Sequence, residues 1–344
     1  MSALAFELPP ALEAREPPEA RGLGRDEVRL LVADRASGGL SHRVFRELPE
    51  LLRAGDLAVI NVSATLPAAV LACRADGDEG RVHFSTRAPG LDQDWRVVEV
   101  RTADGAKPQR SRAGERFTLD GGAILELVAP YASGARLMLA RFHGGGSVES
   151  YLAEHGEPIR YGYVAGSWPL AAYQNVYATT PGSAEMPSAG RPFTAEGLHA
   201  LVARGITLAP ITLHAGVSSP ERDEPPFPEQ FEVPPSTAAL VRTVKARGGR
   251  VIAVGTSVVR ALESAVAADG TISPSAGWTG LVVTPEHRPR VVDGLITGWH
   301  EPEASHLWLL EAIAGAELVA ASYRAALARG YLWHEFGDSH LILA

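Results

Sequence analysis

Apolar positions along the chain follow two different patterns. Near the start, apolar runs at 28–34 and 57–61 flank a segment at 43–52 with helical character, an order typical of α/β proteins. From about residue 66 to residue 144 no helical period appears, and short apolar runs alternate with the turn sequences DGDEG, ADG and LDGG. Short strands at close spacing predict a small antiparallel barrel or sandwich. After the glycine run at 144–146 the α/β pattern returns.

These patterns predict a fold of the α/β class with two domains. An α/β sheet domain is built from both chain ends, and a small antiparallel β-barrel is inserted into it. The predicted ranges are 26–65 and 148–344 for the sheet domain and 66–147 for the barrel. Residues 1–25 are rich in proline and glutamate, which predicts a poorly ordered N-terminal segment.

The stretch GRVIAVGTSVVRALE at 249–263 has the form of a strand followed by a helix. Its first half is a β-branched apolar run, which is typical of a strand buried on both faces. Gly255, Thr256 and Ser257 form the turn, where a helix leaves its first N–H groups without partners. Such a turn at the carboxyl edge of a sheet favours an anion or a polar ligand. The alternative is that Thr256 or Ser257 caps its own helix.

Three other predicted strands also have polar residues at one end. TLHAG at 212–216 follows an apolar run, Trp299 and His300 follow LIT, and FGDS at 336–339 precedes the terminal LIL. Strand ends that meet on one edge of an open α/β sheet form its usual ligand crevice. A single histidine is more often structural than catalytic, so the prediction of a cleft depends on the four turns together.

The composition narrows the possible functions. The 344 residues are 46% hydrophobic and 21% charged, as in an ordinary globular protein, and the net charge of -8 gives no global attraction to nucleic acid. Cys73 is the single cysteine, so an internal disulfide or a cysteine zinc site cannot form. No Walker lysine, dinucleotide fingerprint, G-x-S-x-G motif or zinc-binding His pair occurs. NTPases, dehydrogenases, serine hydrolases and zinc enzymes are therefore disfavoured.

The sequence gives no sign of a targeting or membrane segment. Glu7 stands where a signal peptide needs its apolar segment, and no apolar run approaches the ~20 residues of a membrane span. We therefore expect a cytoplasmic protein with no membrane partner. No metal ligands can be named, so no metal is expected, and a monomer or weak dimer is the expected oligomeric state.

Several stretches together resemble the S-adenosylmethionine:tRNA ribosyltransferase-isomerase family of queuosine biosynthesis. RVIAVGTSVVRALE at 250–263 is close to specific for that family, and the other matches agree in order and spacing. These are RLLVADR (29–35), SHRVFRELPELLRAGDLAVIN (41–61), YQNVYA (173–178), SAG (188–190), TLHAG (212–216), VVDGLITGWHEPE (291–303) and FGDSHLIL (336–343). The family is a two-domain α/β protein with an inserted β-barrel, in agreement with the predicted architecture.

The resemblance implies an unusual reaction. The ribosyl part of S-adenosylmethionine is transferred to the aminomethyl group of 7-aminomethyl-7-deazaguanine in tRNA, which gives epoxyqueuosine and releases adenine and methionine. Such chemistry needs a base near C5′, a proton donor for the departing adenine and a group that holds the methionine carboxylate. S-adenosylmethionine is then the ribosyl-donating substrate, and no metal or redox cofactor is implied.

The resemblance also suggests roles for residues in the matching stretches. His214 and His300 would transfer protons, because histidine titrates near neutral pH, and Asp338 would be an orienting carboxylate. Tyr173 and Tyr177 are spaced i, i+4, which on a helix makes a packed pair, and they could also stack on a base. The residues expected to bind S-adenosylmethionine are Tyr173, Gln174, Tyr177, Gly216, Gly255, Thr256, Ser257 and Arg260.

Some positions depart from the family pattern. Ala64 and Ala69 stand where the family has arginines, and Pro192 stands where it has a histidine. Alanine cannot bind phosphate as arginine does, so these changes weaken the prediction of tRNA as a partner more than that of S-adenosylmethionine. Basic residues of the predicted barrel could compensate, namely Arg74, Arg81, Arg87, Arg96 and Arg101.

Two alternative functions stay open at this point. One is a divergent relative that uses S-adenosylmethionine on a small molecule or another acceptor. The other is a catalytically silent protein that binds S-adenosylmethionine without the chemistry.

Overall fold

The computed structural model describes residues 6–132, 136–217, 226–302 and 304–343. The predicted class is confirmed: a mixed α/β domain carries a closed antiparallel β-barrel of six strands. The barrel is continuous in sequence, whereas the large sheet takes strands from before and after it. The change of pattern in the sequence therefore corresponds to a change of domain.

The elements of the described residues are as follows. The strands are β1 (Arg29–Asp34), β2 (Gly39–Val44), β3 (Leu57–Asn61), β4 (Ser63–Thr65), β5 (Ala69–Arg74), β6 (Glu79–Arg87), β7 (Trp95–Thr102), β8 (Arg116–Leu119), β9 (Ile124–Pro130), β10 (Leu137–His143), β11 (Thr180–Ser183), β12 (Thr207–Leu213), β13 (Glu229–Val233), β14 (Val251–Val254), β15 (Ser275–Thr279), β16 (Gly294–Thr297) and β17 (Ser339–Leu343). The helices are α1 (Leu48–Leu51), α2 (Val148–His155), α3 (Ala195–Ala203), α4 (Pro235–Ala246), α5 (Thr256–Ser264), α6 (His306–Ala314) and α7 (Ala316–Ala328).

The large sheet is mixed, with the strand order β15-β13-β12-β3-β14-β16-β17-β1-β2. Strands β12, β3, β14 and β16 run parallel, and β17 runs antiparallel to β16. Strand β1 pairs in parallel with β17, so the two chain ends lie side by side. The carboxyl ends of the four parallel strands therefore share one edge with the start of β17. The four polar turns meet at this edge, as the sequence predicts.

Both faces of the sheet are covered. Leu31, Val59 and Leu295 point to the face packed under α4, α5, α6 and α7. Their neighbours Leu30 and Ile60 point to the opposite face, which packs with α1 and α3. Because successive side chains alternate between two buried faces, these strands appear in the sequence as continuous apolar runs.

The barrel closes in the order β10-β7-β6-β5-β8-β9. Its interior is filled by alternate apolar side chains such as Val82, Phe84, Val98 and Val100. The short strand β8, RFTL, is the barrel strand that the sequence pattern did not identify. A run of four residues with two apolar positions is too short to stand out from the turns beside it.

Residues 6–25 are packed onto the α/β domain, so the expected poor order of the N-terminal segment is wrong for them; residues 1–5 lie outside the described residues. The buried Arg191 donates to Glu19 Oε2 at 2.8 Å and to the Ala172 carbonyl at 3.0 Å. The Arg21 guanidinium donates to the Phe336 carbonyl at 2.9 Å. The composition resembles that of a disordered segment, but tertiary contacts from distant residues hold three short 3-10 helices here, at Pro10–Leu12, Pro18–Arg21 and Arg25–Glu27.

Two further segments differ from expectation. The proline content of the run at 225–235 predicts an extended loop, yet the run contains β13, and Pro235 begins α4, a position that tolerates proline; Pro225 lies outside the described residues. Pro302 suits the first position of a helix, so the sequence predicts a helix start there, but α6 begins at His306.

Candidate active site

The sheet edge where the turns meet opens into a cleft of about 340 Å³ between the α/β domain and the barrel. Its wall includes Gly216 after β12, Thr256 after β14 and His300 after β16, while Ser85 comes from barrel strand β6. Three of the four predicted turns therefore converge on one cleft. The fourth, FGDS, lies behind the wall, and the residues just before it, at 334–335, line the cleft instead.

The turn at Gly255 has an unusual backbone. Gly255 adopts φ +97°, where L residues are strained, and no side chain caps α5 at this position. The alternative of simple helix capping by Thr256 or Ser257 is therefore wrong. The buried Asn61 amide donates to the Ser257 hydroxyl at 3.3 Å and to the Leu213 carbonyl at 2.8 Å. Asn61 thus joins the ends of β3 and β12 to the start of α5, whose Thr256 and Ser257 line the cleft at the positive end of the helix dipole.

Arg260 lies one helical turn further along α5, and its guanidinium is hydrogen-bonded to other groups of the protein. It donates to the Glu229 carboxylate through Nη1, to the Leu281 carbonyl at 3.0 Å and to the Phe227 carbonyl at 3.1 Å. The other Glu229 oxygen accepts the Gly216 N–H at 2.8 Å. Arg260 lies in the wall of the cleft, and its bonds fix the Gly216 turn relative to α5 through Glu229.

Among the described residues, three histidines line the cleft, His300, His306 and His334. The rings of His300 and His306 are parallel with centroids 4.5 Å apart, and His300 Nε2 lies 2.9 Å from Thr297 Oγ1. Desolvation by surrounding protein, with a smaller effect of His306, holds the pKa of His300 well below its usual range. Burial also lowers the pKa of His306 and of His334 to about 4. All three rings are neutral at pH 7, so they can accept a proton.

Two tyrosine–glutamate pairs form another part of the wall. The Tyr161 hydroxyl donates to Glu185, and the Tyr163 hydroxyl donates to Glu335 Oε2 at 2.6 Å. The two phenol rings stack at 6.1 Å, and Tyr163 stacks on His334 at 4.0 Å. Burial raises the pKa of Glu335 to about 7, so at neutral pH its carboxyl group is divided between its protonated and ionised forms.

Tyr173 is buried and lines the cleft, but four other predicted site residues do not. His214 Nδ1 lies 2.7 Å from Ser63 Oγ, and burial lowers the pKa of its ring. Both polar atoms of the Gln174 side chain bond to the Thr65 backbone. Tyr177 packs edge-on against Phe193. Tyr173 and Tyr177 are not a helical pair either. The short 3-10 helix Leu170–Tyr173 ends at Tyr173, and the backbone of Gln174 is extended.

Asp338 is the fourth of these residues. Its carboxylate accepts the Arg29 backbone N–H at 2.7 Å, the Arg29 guanidinium at 2.7 Å and the Leu332 N–H at 2.7 Å. These bonds tie the start of β17 to the start of β1. The structure therefore gives Asp338 a role in holding the two chain ends together and does not bring it to the cleft.

The sequence interpretation missed Glu335, His306, His334, Tyr161 and Tyr163. They lie in or next to loops, where hydrophobic periodicity gives no position for a side chain. The available signals were YGY at 161–163 and HEF at 334–336, short runs that combine rings and an acid outside any strand pattern.

The five barrel arginines named from the sequence are all ion-paired. The pairs are Arg74–Glu115, Arg81–Glu157, Arg87–Glu149, Arg96–Glu149 and Arg101–Glu99, at N···O distances from 2.6 to 3.5 Å. In the loop between β7 and β8, by contrast, Lys107, Arg110 and Arg112 are exposed and make no ion pair with any described residue. The free cations of the barrel are therefore not the ones that the sequence suggested.

The described ranges show neither a metal-binding cluster nor a membrane-spanning helix. They contain no group of three or more His, Cys, Asp or Glu side chains arranged to hold a metal ion. No helix in these ranges has the length and apolar character needed to cross a membrane.

A barrel is inserted into an α/β domain, and acid–base side chains gather in the cleft between them. This arrangement is typical of an enzyme. The family model described as queuosine biosynthesis protein matches residues 1–342. The chain therefore belongs to the queuosine biosynthesis protein family, and the resemblance found in its motifs is confirmed.

Similar proteins agree over the whole length. The chain is 38% identical to an S-adenosylmethionine:tRNA ribosyltransferase-isomerase of Symbiobacterium thermophilum, over 100% of this chain and 99% of the relative. It is 35% identical to a protein of the same name from Heliobacterium modesticaldum, over 98% of each. The crystal structure of an S-adenosylmethionine tRNA ribosyltransferase from Thermotoga maritima is similar with a TM-score of 0.54 and 28% identity, covering 98% of this chain and 99% of that one. The prediction of an enzyme of the ribosyltransferase-isomerase class is confirmed by these relatives.

Proposed function

We propose that this protein binds S-adenosylmethionine in the cleft and transfers its ribosyl part to 7-aminomethyl-7-deazaguanine in tRNA, forming epoxyqueuosine and releasing adenine and methionine. The observation that carries the proposal is the convergence of the Gly216, Thr256 and His300 turns, all within family motifs, on one cleft. The names of the relatives support both S-adenosylmethionine and tRNA as substrates.

The charges of the cleft favour a cationic ligand. Its wall carries four acidic side chains, Glu185, Glu229, Glu301 and Glu335, but only one arginine among the described residues, Arg260, and that arginine is paired with Glu229. A sulfonium is a compact cation, which an excess of acidic over basic side chains attracts. This electrostatic environment fits S-adenosylmethionine better than a neutral or anionic nucleoside.

Separate parts of the wall suit the separate needs of the reaction. The start of α5, at Thr256 and Ser257, would hold the methionine carboxylate, because helix N-termini attract anions. His300, neutral and fixed by Thr297, would remove a proton from C5′, which the sulfonium acidifies. Tyr173 would lie against adenine or the acceptor base.

The acceptor has a second candidate. Ala64 and Ala69 replace family arginines, and the five barrel arginines that could compensate are ion-paired. These observations favour a divergent enzyme that uses S-adenosylmethionine on an acceptor other than tRNA. The exposed Lys107, Arg110 and Arg112 instead support tRNA as the acceptor.

A chromatographic assay of adenine and methionine release decides between these acceptors. S-adenosylmethionine is incubated with the enzyme and tRNA that carries 7-aminomethyl-7-deazaguanine, with unmodified tRNA as the control. Release that requires the modified tRNA is the expected result. Binding of S-adenosylmethionine by calorimetry without release would favour another acceptor, and an absence of binding would overturn the proposal.

A further inference from the structure

We infer that Glu335 is the proton donor to the departing adenine, an assignment that rests on the proposed function. Glu335 lines the cleft together with His300 and the start of α5. Its Oε2 accepts the Tyr163 hydroxyl at 2.6 Å. The carboxyl group is thus held by Tyr163 in a residue that lines the cleft. Asp338, the carboxylate favoured by the sequence, does not line the cleft, and Arg29 and Leu332 occupy it.

The surroundings of Glu335 hold it firmly. Tyr163 is sandwiched between Tyr161 and His334, with ring centroids at 6.1 and 4.0 Å. His334, the residue before Glu335, has φ +70°, a conformation that is costly for a non-glycine residue and that is found where surrounding structure over-determines the backbone. The charged or titratable groups that face Glu335 are Tyr163, Glu185, Tyr173 and His334, and none of them is a cation at neutral pH. No neighbouring cation therefore stabilises the ionised carboxylate, which favours the protonated form.

The proton balance of the step is simple. A base takes the C5′ proton, for which His300 is the proposed group. The electron pair freed at C5′ forms C4′=C5′ as the C4′–O4′ bond breaks, and the O4′ pair forms C1′=O4′ as the C1′–N9 bond breaks. The N9 electron pair stays with adenine, and an adenine nitrogen takes the proton of the Glu335 carboxyl group. Adenine then leaves as a neutral molecule, Glu335 becomes a carboxylate, and one proton has been taken up by the protein for the one given away. The neutral histidines of the cleft are suited to the first task, and the protonated carboxyl group is suited to the second.

The test compares Glu335→Gln with Glu154→Gln, which makes the same change on a glutamate that is 77% exposed outside the cleft. Loss of a general acid lowers a rate by about 100-fold or more, so adenine release by Glu335→Gln should fall by at least that factor, and Glu154→Gln should match the parent protein. The parent rate should decline as the pH rises through about 7, where the pKa of Glu335 lies. That decline should be missing in Glu335→Gln.

A binding measurement keeps the inference testable whether or not turnover is seen. Adenine itself is titrated into the parent protein and both variants by calorimetry. In the product complex Glu335 is a carboxylate that accepts a hydrogen bond from adenine. Weaker adenine binding by Glu335→Gln, about tenfold or more as expected for a lost hydrogen bond to a charged group, supports this contact. Equal adenine binding by the parent protein and Glu335→Gln would overturn the inference. A rate loss with an unchanged pH profile and a lowered melting temperature would also overturn it, because Glu335 would then be structural. Failure of the parent protein to release adenine, by contrast, contradicts the proposed function.

Discussion

Gly255 holds the junction of β14 and α5 with φ +97°, a value that residues with a Cβ rarely adopt. An added Cβ would also lie 3.4 Å from Ala189 Cβ and from Ser257 Oγ. We expect Gly255→Ala to lower the free energy of unfolding by about 1–3 kcal/mol, the usual cost of such a strained backbone position. It should also weaken S-adenosylmethionine binding, because Thr256 and Ser257 would be displaced. Urea unfolding and calorimetry measure the two effects.

Gly145→Ala is the matched control for that change. Gly145 has an ordinary φ, and a Cβ at this position would have no heavy atom within 4 Å. Its unfolding curve should overlay that of the parent protein. A Gly255→Ala variant as stable as this control would show that the turn can relax without cost.

Single site residues were predictable from the sequence only where a strand end fixes their position. Gly216, Thr256 and His300 each lie two or three residues after the end of a strand and line the cleft. Asp338 and His214 occupy equally favourable places in the sequence, but distant partners determine their surroundings. Arg29, 309 positions away, binds Asp338, and Ser63, 151 positions away, binds His214. Contacts at such separations leave no mark on local sequence pattern.

At the scale of elements, the loop between β7 and β8 is the part of the barrel best suited to a polyanion. It carries three exposed cations that have no ion-pair partner among the described residues, Lys107, Arg110 and Arg112. Replacing all three by glutamine should weaken binding of tRNA and reduce the slope of log affinity against log salt by about 2–3, because each phosphate contact releases about one counterion. Fluorescence anisotropy with labelled tRNA at several salt concentrations gives both quantities.

Arg87→Gln provides the comparison for this loop. Arg87 is also exposed on the barrel, but its guanidinium is bound to Glu149 at 2.7 Å. We expect its loss to leave the salt slope nearly unchanged. An equal loss of slope in both variants would mean that the whole barrel surface, and not this loop, carries the phosphate contacts.

Most elements were predictable because their burial pattern is simple. Strands covered on both faces appear as apolar runs, and barrel strands appear as short runs between glycine-rich turns. The direction of β17 was not predictable in this way, since an apolar run does not indicate whether its strand is parallel or antiparallel to its neighbour. Strand β13 was missed because its flanking prolines conceal it, although they lie just outside the hydrogen-bonded part.

At the scale of the whole molecule, buried histidines should make the fold sensitive to acid. Burial lowers the pKa of His83 and of His340 to about 3 and that of His306 and His334 to about 4, and His300 also lies well below its usual range. An unfolded chain protonates these rings near pH 6.5, so it binds more protons than the folded protein below that pH. The stabilising contribution of the neutral rings is therefore present above about pH 6.5 and is lost as the pH falls.

Glu335 acts in the opposite direction, because its raised pKa favours the folded protein as the pH falls toward 5. The histidines outnumber it, so we expect the free energy of unfolding to drop by several kcal/mol between about pH 7 and pH 5, at up to about 1.4 kcal/mol per pH unit for each net proton. Urea unfolding at a series of pH values measures this slope. A flat profile would contradict the prediction.

His340→Phe tests the origin of the slope. His340 is fully buried and stacks on Trp299 at 4.7 Å, and neither ring nitrogen has a hydrogen-bond partner among the described residues. Phenylalanine can keep the stacking without titrating. The variant should unfold with a pH slope smaller by about one proton and should be less sensitive to acid than the parent protein.

The pairing of β1 with β17 affects how the chain can fold during its synthesis on the ribosome. The barrel segment, residues 69–143, is contiguous and can close as soon as it has emerged. Strand β1 is made first, yet its neighbour β17 is made last, and the Arg29–Asp338 bond that fixes their register spans 309 positions. One edge of β1 therefore stays open through almost the whole of translation, with only β2 available to pair with the other. Loss of β17 in a truncated translation product would leave β1 paired with β2 alone and β16 paired with β14 alone, so an incomplete chain would expose two open strand edges inside its sheet.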